Sequence, residues 1–103
     1  MIRIFIADDH PIVRQGLRRI VESDPGMAIS GEASNADELL AALDRNVTDL
    51  VLLDVSMPGA PFLEALQRLR AKQPTVRVLV LSVHPEDQWA VRALRAEIGR
   101  AHV

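Results

Sequence analysis

The chain has 103 residues, a net charge of −2 and no Cys. That length is one domain's worth and buries roughly 60–70% of its unfolded surface on folding. The missing Cys excludes disulfides and thiol chemistry, and the mild acidity leaves no overall basic field to draw nucleic acid to this chain itself.

Four short apolar, β-branched runs read as strands: Ile2–Ala7, Met27–Glu32, Leu50–Asp54 and Val76–Ser82. Stretches with helical period separate them. Val13, Leu17, Ile20 and Val21 mark the first helix, and Ala36, Leu39, Leu40 and Leu43 the second. Leu63, Leu66 and Leu69 mark the third, and Val91, Leu94 and Ile98 the fourth. Each set falls on one helix face. Pro11, Pro61 and Pro85 sit where a first helical residue would be, a position that tolerates a missing N–H. Asn35 with Glu38 reads as a capping box, with Asn in place of the usual Ser or Thr. Asp24-Pro25-Gly26 and Gln73-Pro74 end the first and third helices. The order βαβαβαβα means a doubly wound parallel sheet with right-handed crossovers and helices on both faces. The runs Leu50–Leu53 and Val78–Leu81 suit strands buried on both sides.

No linker, repeat or low-complexity tract interrupts this pattern. The start, "MIRIFIADDHP", is too short an apolar run for a signal peptide and ends in two acids. No stretch approaches the roughly 18 apolar residues of a membrane helix. A cytoplasmic location without membrane contact is the expectation.

The acids carry the chemistry. Ligands of doubly wound sheets bind beyond the carboxyl ends of the strands. The first strand ends in Asp8 and Asp9, the third in Asp54 and the fourth in Ser82. If those strands are neighbours, three carboxylates share one pocket. Either their pKa values rise or a cation sits among them, and hard oxygen donors of this kind suit Mg²⁺. A carboxylate beside Mg²⁺ can attack phosphorus to give an aspartyl phosphate. Asp54, alone on a central strand, is the candidate nucleophile. Asp9 and Asp8 would hold the metal, and the Ser82 hydroxyl could bond a phosphoryl oxygen. A single acid after a strand is most often only a turn residue or a helix cap. The joint pattern is what points to a site.

The segments "IFIADDHPIVRQGLRRIVE", "DLVLLDVSMPG" and "VRVLVLSVH" resemble the receiver domain of a bacterial response regulator, and "DDHPIVRQGL" resembles the NarL/FixJ type. The resemblance runs from Ile2 to about Ala96, so 1–96 is expected to be the receiver and 97–103 a tail outside the family pattern. It implies a flavodoxin-like sheet of strand order 2-1-3-4 and a histidine kinase that donates a phosphoryl group to Asp54. It further implies Mg²⁺ bound by Asp9, Asp54 and the main-chain carbonyl of Ser56, with Asp8 acting through water. Ser82 would be the switch hydroxyl, and a DNA-binding output domain would lie outside this chain.

Two features depart from the family. A fifth strand ending in Lys-Pro and a fifth helix are absent, and Lys72, the only Lys, lies in the third helix, so there is no active-site Lys. A shortened receiver is expected to leave its fourth strand as an edge. A homodimer through that strand, or by a swap, would then follow. The second departure is Ala60-Pro61-Phe62, where the family often has a Gly shortly before "LEAL"; Pro61 can start a helix, so the change is tolerable.

Other residues carry blander readings. His10 and His84 each precede a Pro at a helix start and read as caps or solvent-facing groups, while His102 lies near a terminus. Arg14, Arg18 and Arg19 read as a solvated helix face, with kinase docking as the functional alternative. Trp89 and Met57 read as packing residues. A phosphatase of the haloacid dehalogenase type would need an acid where Ser56 stands, and the five Gly residues form no phosphate loop. The remaining alternative is a pseudo-receiver, an interaction module that is not phosphorylated.

Overall fold

A computed structural model describes residues 1–81. Within them the chain runs β1 (Ile2–Ala7), α1 (Pro11–Glu22), β2 (Met27–Ala33), α2 (Ala36–Leu43), β3 (Leu50–Asp54), α3 (Phe62–Lys72) and β4 (Arg77–Leu81). Ser82, the expected fourth helix, His84, Trp89, His102 and the tail from Glu97 lie outside the described residues.

The punctuation read from the sequence acts through identifiable bonds. Pro11 is the first residue of α1. After Glu22, the Asp24 carboxylate accepts from the Gly26 N–H (2.8 Å) and turns the chain toward β2. Asn35 caps α2 by accepting from the Glu38 N–H (2.8 Å). The return half of the box is displaced by one residue: Glu38 accepts from the N–H of Ser34 (3.2 Å) instead of that of Asn35. Pro61 is the residue before α3, with φ −54° and ψ 147°, and Phe62 is the first helical one. The expectation for Pro61 is therefore off by one position.

All strands pair in parallel, in the order β2-β1-β3-β4. Alternate residues of the strands enter two apolar layers. On one face Phe5, Ala7, Val51 and Leu53 pack with Leu39, Leu40 and Leu43 of α2 and Leu69 of α3. On the other, Ile4, Ile6, Leu52 and Leu81 pack with Val21 of α1. β3 is buried from Val51 to Asp54, as its sequence requires, whereas β4 is an edge among the described residues and Val78–Val80 are only half-buried.

Two helix faces differ from expectation. Ile20 is 64% exposed, because α1 meets its sheet face through Leu17 and Val21. Leu63 is 68% exposed, because α3 packs through Phe62, Ala65, Leu66 and Leu69. That set has the full i, i+3, i+4, i+7 spacing, which outranks the sparser Leu63-Leu66-Leu69 series.

β2 carries a bulge at Ser30: Ile4 pairs with Ile29, but Phe5 pairs with Gly31. The bulge lets Phe5, fully buried, lie directly against Gly31. A Cβ on Gly31 would meet the Phe5 ring at 2.7 Å, inside any real contact. Gly31→Ala is expected to destabilise the domain by about 1–3 kcal/mol through overpacking. Urea denaturation of the purified variant checks this, and an unchanged midpoint would contradict it.

Candidate metal and phosphoacceptor site

Strand register builds the site. Because Ala7 pairs with Leu53, the next residues, Asp8 and Asp54, are neighbours at the carboxyl rim of the sheet. They are the two buried charged side chains among the described residues, at 0% and 2% exposure. Asp9 follows on the turn into α1, and His10 joins it. One donor atom from each of Asp8, Asp9, His10 and Asp54 lies within 4.8 Å of the others. The expectation that the first and third strands gather three carboxylates is met.

Local bonds hold each acid in place. The Asp8 N–H donates to the Ala33 carbonyl of β2 (3.0 Å), and Arg14 donates to the Asp8 carbonyl (2.6 Å). Asp8 Oδ1 accepts from the His10 N–H (2.8 Å). Asp54 Oδ1 accepts from both the N–H and the hydroxyl of Ser56, each at 3.1 Å. Ser56 thus grips the carboxylate through its side chain as well as its backbone, a contact the sequence reading did not anticipate. Beyond it Met57 packs on the core. Gly59 takes φ +104°, the left-handed region that Gly enters without strain, and so closes the loop.

His10 departs from its expected role. It stands at the N-cap of α1 yet makes no side-chain cap bond. Its ring, half-exposed, turns back over the acids: Nδ1 lies 2.9 Å from Asp8 Oδ1, 3.1 Å from Asp9 Oδ1 and 3.6 Å from Asp54 Oδ2. Arg14 and Arg18 are also less free than expected. Arg14 reaches Glu32 at 3.8 Å, and Arg18 pairs with Glu22 (2.9 Å) and with Glu32. Lys72 pairs with Asp44 (2.8 Å) and with none of the site acids.

The electrostatics follow from this crowding. Like charges this close repel by about 3–4 kcal/mol at an effective dielectric near 20. Burial, more than the neighbouring Asp8, pushes the Asp54 carboxyl above its ordinary 3.8, and the Ser56 N–H partly offsets this. The bond to Asp8 and the charge of Asp9 push His10 above its ordinary 6.5. Asp8 Oδ2, fully buried, has no hydrogen-bond partner, and Asp9 Oδ1 has only the charge contact with the His10 ring at 3.1 Å and no hydrogen bond. Converging carboxylates with unpartnered oxygens fit a divalent cation of the hard, oxygen-preferring kind, Mg²⁺ foremost.

Both shifts have a worked sign. A raised His pKa means the contact stabilises fully below the unfolded value of 6.5 and fades as pH rises through the higher folded value. In the metal-free protein His10→Ala is therefore expected to lower the melting temperature more near about pH 5.5 than near about pH 8.5. Equal losses at both would contradict this. A raised Asp pKa is favourable below 3.8 and becomes a cost above the folded value. Asp54→Asn is expected to stabilise the metal-free protein at neutral pH by about 1 kcal/mol, a few degrees in Tm. The gain should shrink toward about pH 4, and thermal scans in chelator check it.

Comparison with known proteins agrees with this geometry. A family model described as the response regulator receiver domain matches residues 4–101. The response regulator UvrY of Escherichia coli is 36% identical over 96 residues, 93% of this chain and 44% of UvrY. The nitrate/nitrite response regulator NarL of Escherichia coli is 37% identical over 92 residues, 89% of this chain and 43% of NarL. The chain therefore spans less than half the length of these relatives. A solved LuxR-family two-component response regulator from Aurantimonas sp. superposes with a TM-score of 0.74 at 36% identity, covering 91% of this chain and 67% of that one. With the 2-1-3-4 parallel sheet and its acidic rim, the chain belongs to the response regulator receiver domain family, in its NarL/LuxR-type branch.

Proposed function

We propose that this chain is the phosphoacceptor module of a two-component system, with Asp54 receiving a phosphoryl group from the phosphohistidine of a histidine kinase. The observation that carries this reading is the buried Asp54 carboxylate at the end of β3, beside Asp8 and Asp9. An Asp54 oxygen attacks phosphorus, the P–N bond breaks, and its electron pair returns to the kinase imidazole. Asp9, Asp54 and the Ser56 carbonyl would hold Mg²⁺, with Asp8 acting through water. Bound there, Mg²⁺ would neutralise charge on the transferring group. Ser56, through its N–H and hydroxyl, keeps the Asp54 carboxylate in one orientation. Ser82, outside the described residues, would supply the switch hydroxyl.

The reading makes the chain a signalling acceptor rather than a turnover enzyme. It also places it in the cytoplasm; no helix among the described residues is long and apolar enough to cross a membrane. UvrY and NarL are more than twice as long as the stretch they share with this chain. A DNA-binding output domain in the parent protein is part of the proposal.

Lys72, the one Lys of these 103 residues, pairs with Asp44 and with none of the site acids, so this stretch by itself brings no Lys to an incoming phosphoryl group. A missing preorganised charge typically costs about 3 kcal/mol in the transition state. The chain, incubated with acetyl phosphate and Mg²⁺, is expected to gain one phosphate slowly, and Asp54→Asn to gain none. Intact-mass time courses check this. A wild-type chain that never gains phosphate would favour the pseudo-receiver reading, and gain by Asp54→Asn would move the acceptor elsewhere.

A further inference from the structure

The end of the sheet opposite the acidic rim holds a recess of about 410 Å³, between the starts of β1 and β2 and the loop from α2 to β3. Arg3, Arg45 and Asn46 line it, and Ala28, Ile29 and Val47 give it apolar surface. Arg3 pairs with Ala28 and is separated from Asp8 by roughly 16 Å of extended chain. A recess of this size accommodates a small organic ligand.

Its charge sets it apart. No Asp or Glu lines it. The Arg and Lys ion pairs among the described residues use Arg14, Arg18 and Lys72, and none engages Arg3 or Arg45. The acids that flank the loop have other partners. Asp44 pairs with Lys72 (2.8 Å), and Asp49 Oδ2 accepts from the main-chain N–H of Arg3 (2.8 Å). Two guanidinium groups therefore share one concave surface that holds no counter-charge of its own.

The backbone that carries them is fixed. The Asp49 N–H donates to the Arg3 carbonyl (2.8 Å), and the N–H groups of Arg45 and Asn46 donate to the Ala42 carbonyl (3.0 and 3.1 Å). The bulge in β2 contributes as well. It leaves Ser30 unpaired with β1, and the Ser30 hydroxyl hydrogen-bonds that of Thr48 (2.8 Å), which donates to the Asn46 carbonyl (3.2 Å). The edge strand is thereby tied to the loop that bears Arg45 and Val47. A ligand meets backbone that is already in place, which lowers the ordering cost of binding.

Arg presents a planar fork of N–H donors that matches the oxygens of phosphate and carboxylate. A phosphate monoester carries close to two negative charges above about pH 7 and so answers two guanidinium groups, whereas one carboxylate answers one. Val47, 70% exposed, offers apolar surface for the ligand's organic body to cover. We propose that this recess is a binding site for a small phosphate monoester with an apolar body, of the nucleoside monophosphate kind. The site uses none of the rim acids.

The test titrates AMP into the 103-residue chain at about pH 7.5, in chelator and without metal, and follows the amide NMR signals. Saturable shifts are expected at Ile29, Arg45, Asn46 and Val47, with the signals of Asp9 and Asp54 unmoved. Arg3→Gln and Arg45→Gln are each expected to weaken AMP by roughly tenfold. Arg70→Gln removes the same charge from an exposed position on α3 and should leave the affinity unchanged. Val47→Asp, also at an exposed position, should weaken AMP. Adenosine, without the phosphate, and inorganic phosphate, without the body, should both bind more weakly than AMP. The absence of saturable shifts, or an equal loss with Arg70→Gln, overturns the proposal. Adenosine binding as tightly as AMP overturns the role of the two Arg residues, and inorganic phosphate binding as tightly overturns that of the apolar surface.

Discussion

Everything at this site follows from one constraint: parallel register sets two carboxylates side by side at the end of a buried sheet. Ala7 pairs with Leu53, so Asp8 and Asp54 have nowhere else to go. Neither is solvated, at 0% and 2% exposure. Their mutual repulsion is opposed by a handful of contacts: the Ser56 N–H and hydroxyl on Asp54, and the N–H and ring of His10 on Asp8. Those contacts leave Asp8 Oδ2 without a partner and Asp9 Oδ1 without a hydrogen bond. The fold therefore carries an unmet demand for positive charge, and that demand is what the site uses.

The surrounding fold keeps this arrangement from relaxing. Asp8 cannot withdraw, because its N–H is bound to β2 and its carbonyl to Arg14. Asp54 cannot turn out, because Val51–Leu53 before it are buried in both apolar layers, and the Val55 N–H after it donates to the Leu81 carbonyl (3.0 Å). Arg14 and Arg18, joined to Glu32 of β2, tie α1 to the sheet beside the acids. The free energy of the two cores thus holds charges together that would separate in water.

Much of this was legible in the residues, and the exceptions have physical causes. The bounds of β1 and β3 and the buried face of α2 could be read directly, because continuous apolar runs and a complete helical stripe admit one solution. The gathering of Asp8, Asp9 and Asp54 was legible too, once alternation implied parallel order. Ile20 and Leu63 are apolar yet exposed because they lie beside the stripes their helices turn to the sheet, Leu17 and Val21 in α1 and Phe62, Leu66 and Leu69 in α3. The bulge at Ser30 was hidden, since nothing in "MAIS" announces an extra residue; Gly31 beside the Phe5 ring is its only trace. His10 was undervalued as a cap. Its signal was its place directly after two acids and before Pro11, which fixes the backbone where the ring can return over both carboxylates.

Folding against this repulsion makes stability itself a reporter of the site. Thermal denaturation of the unmodified chain, in chelator and then in rising Mg²⁺, is the most direct test of the claim that the rim is a cation-demanding cluster. A ligand that binds only the folded state raises Tm in step with the logarithm of its concentration once it saturates. The account predicts such a rise with Mg²⁺, and none with an equal ionic strength of Na⁺. A melting temperature indifferent to Mg²⁺ would contradict it.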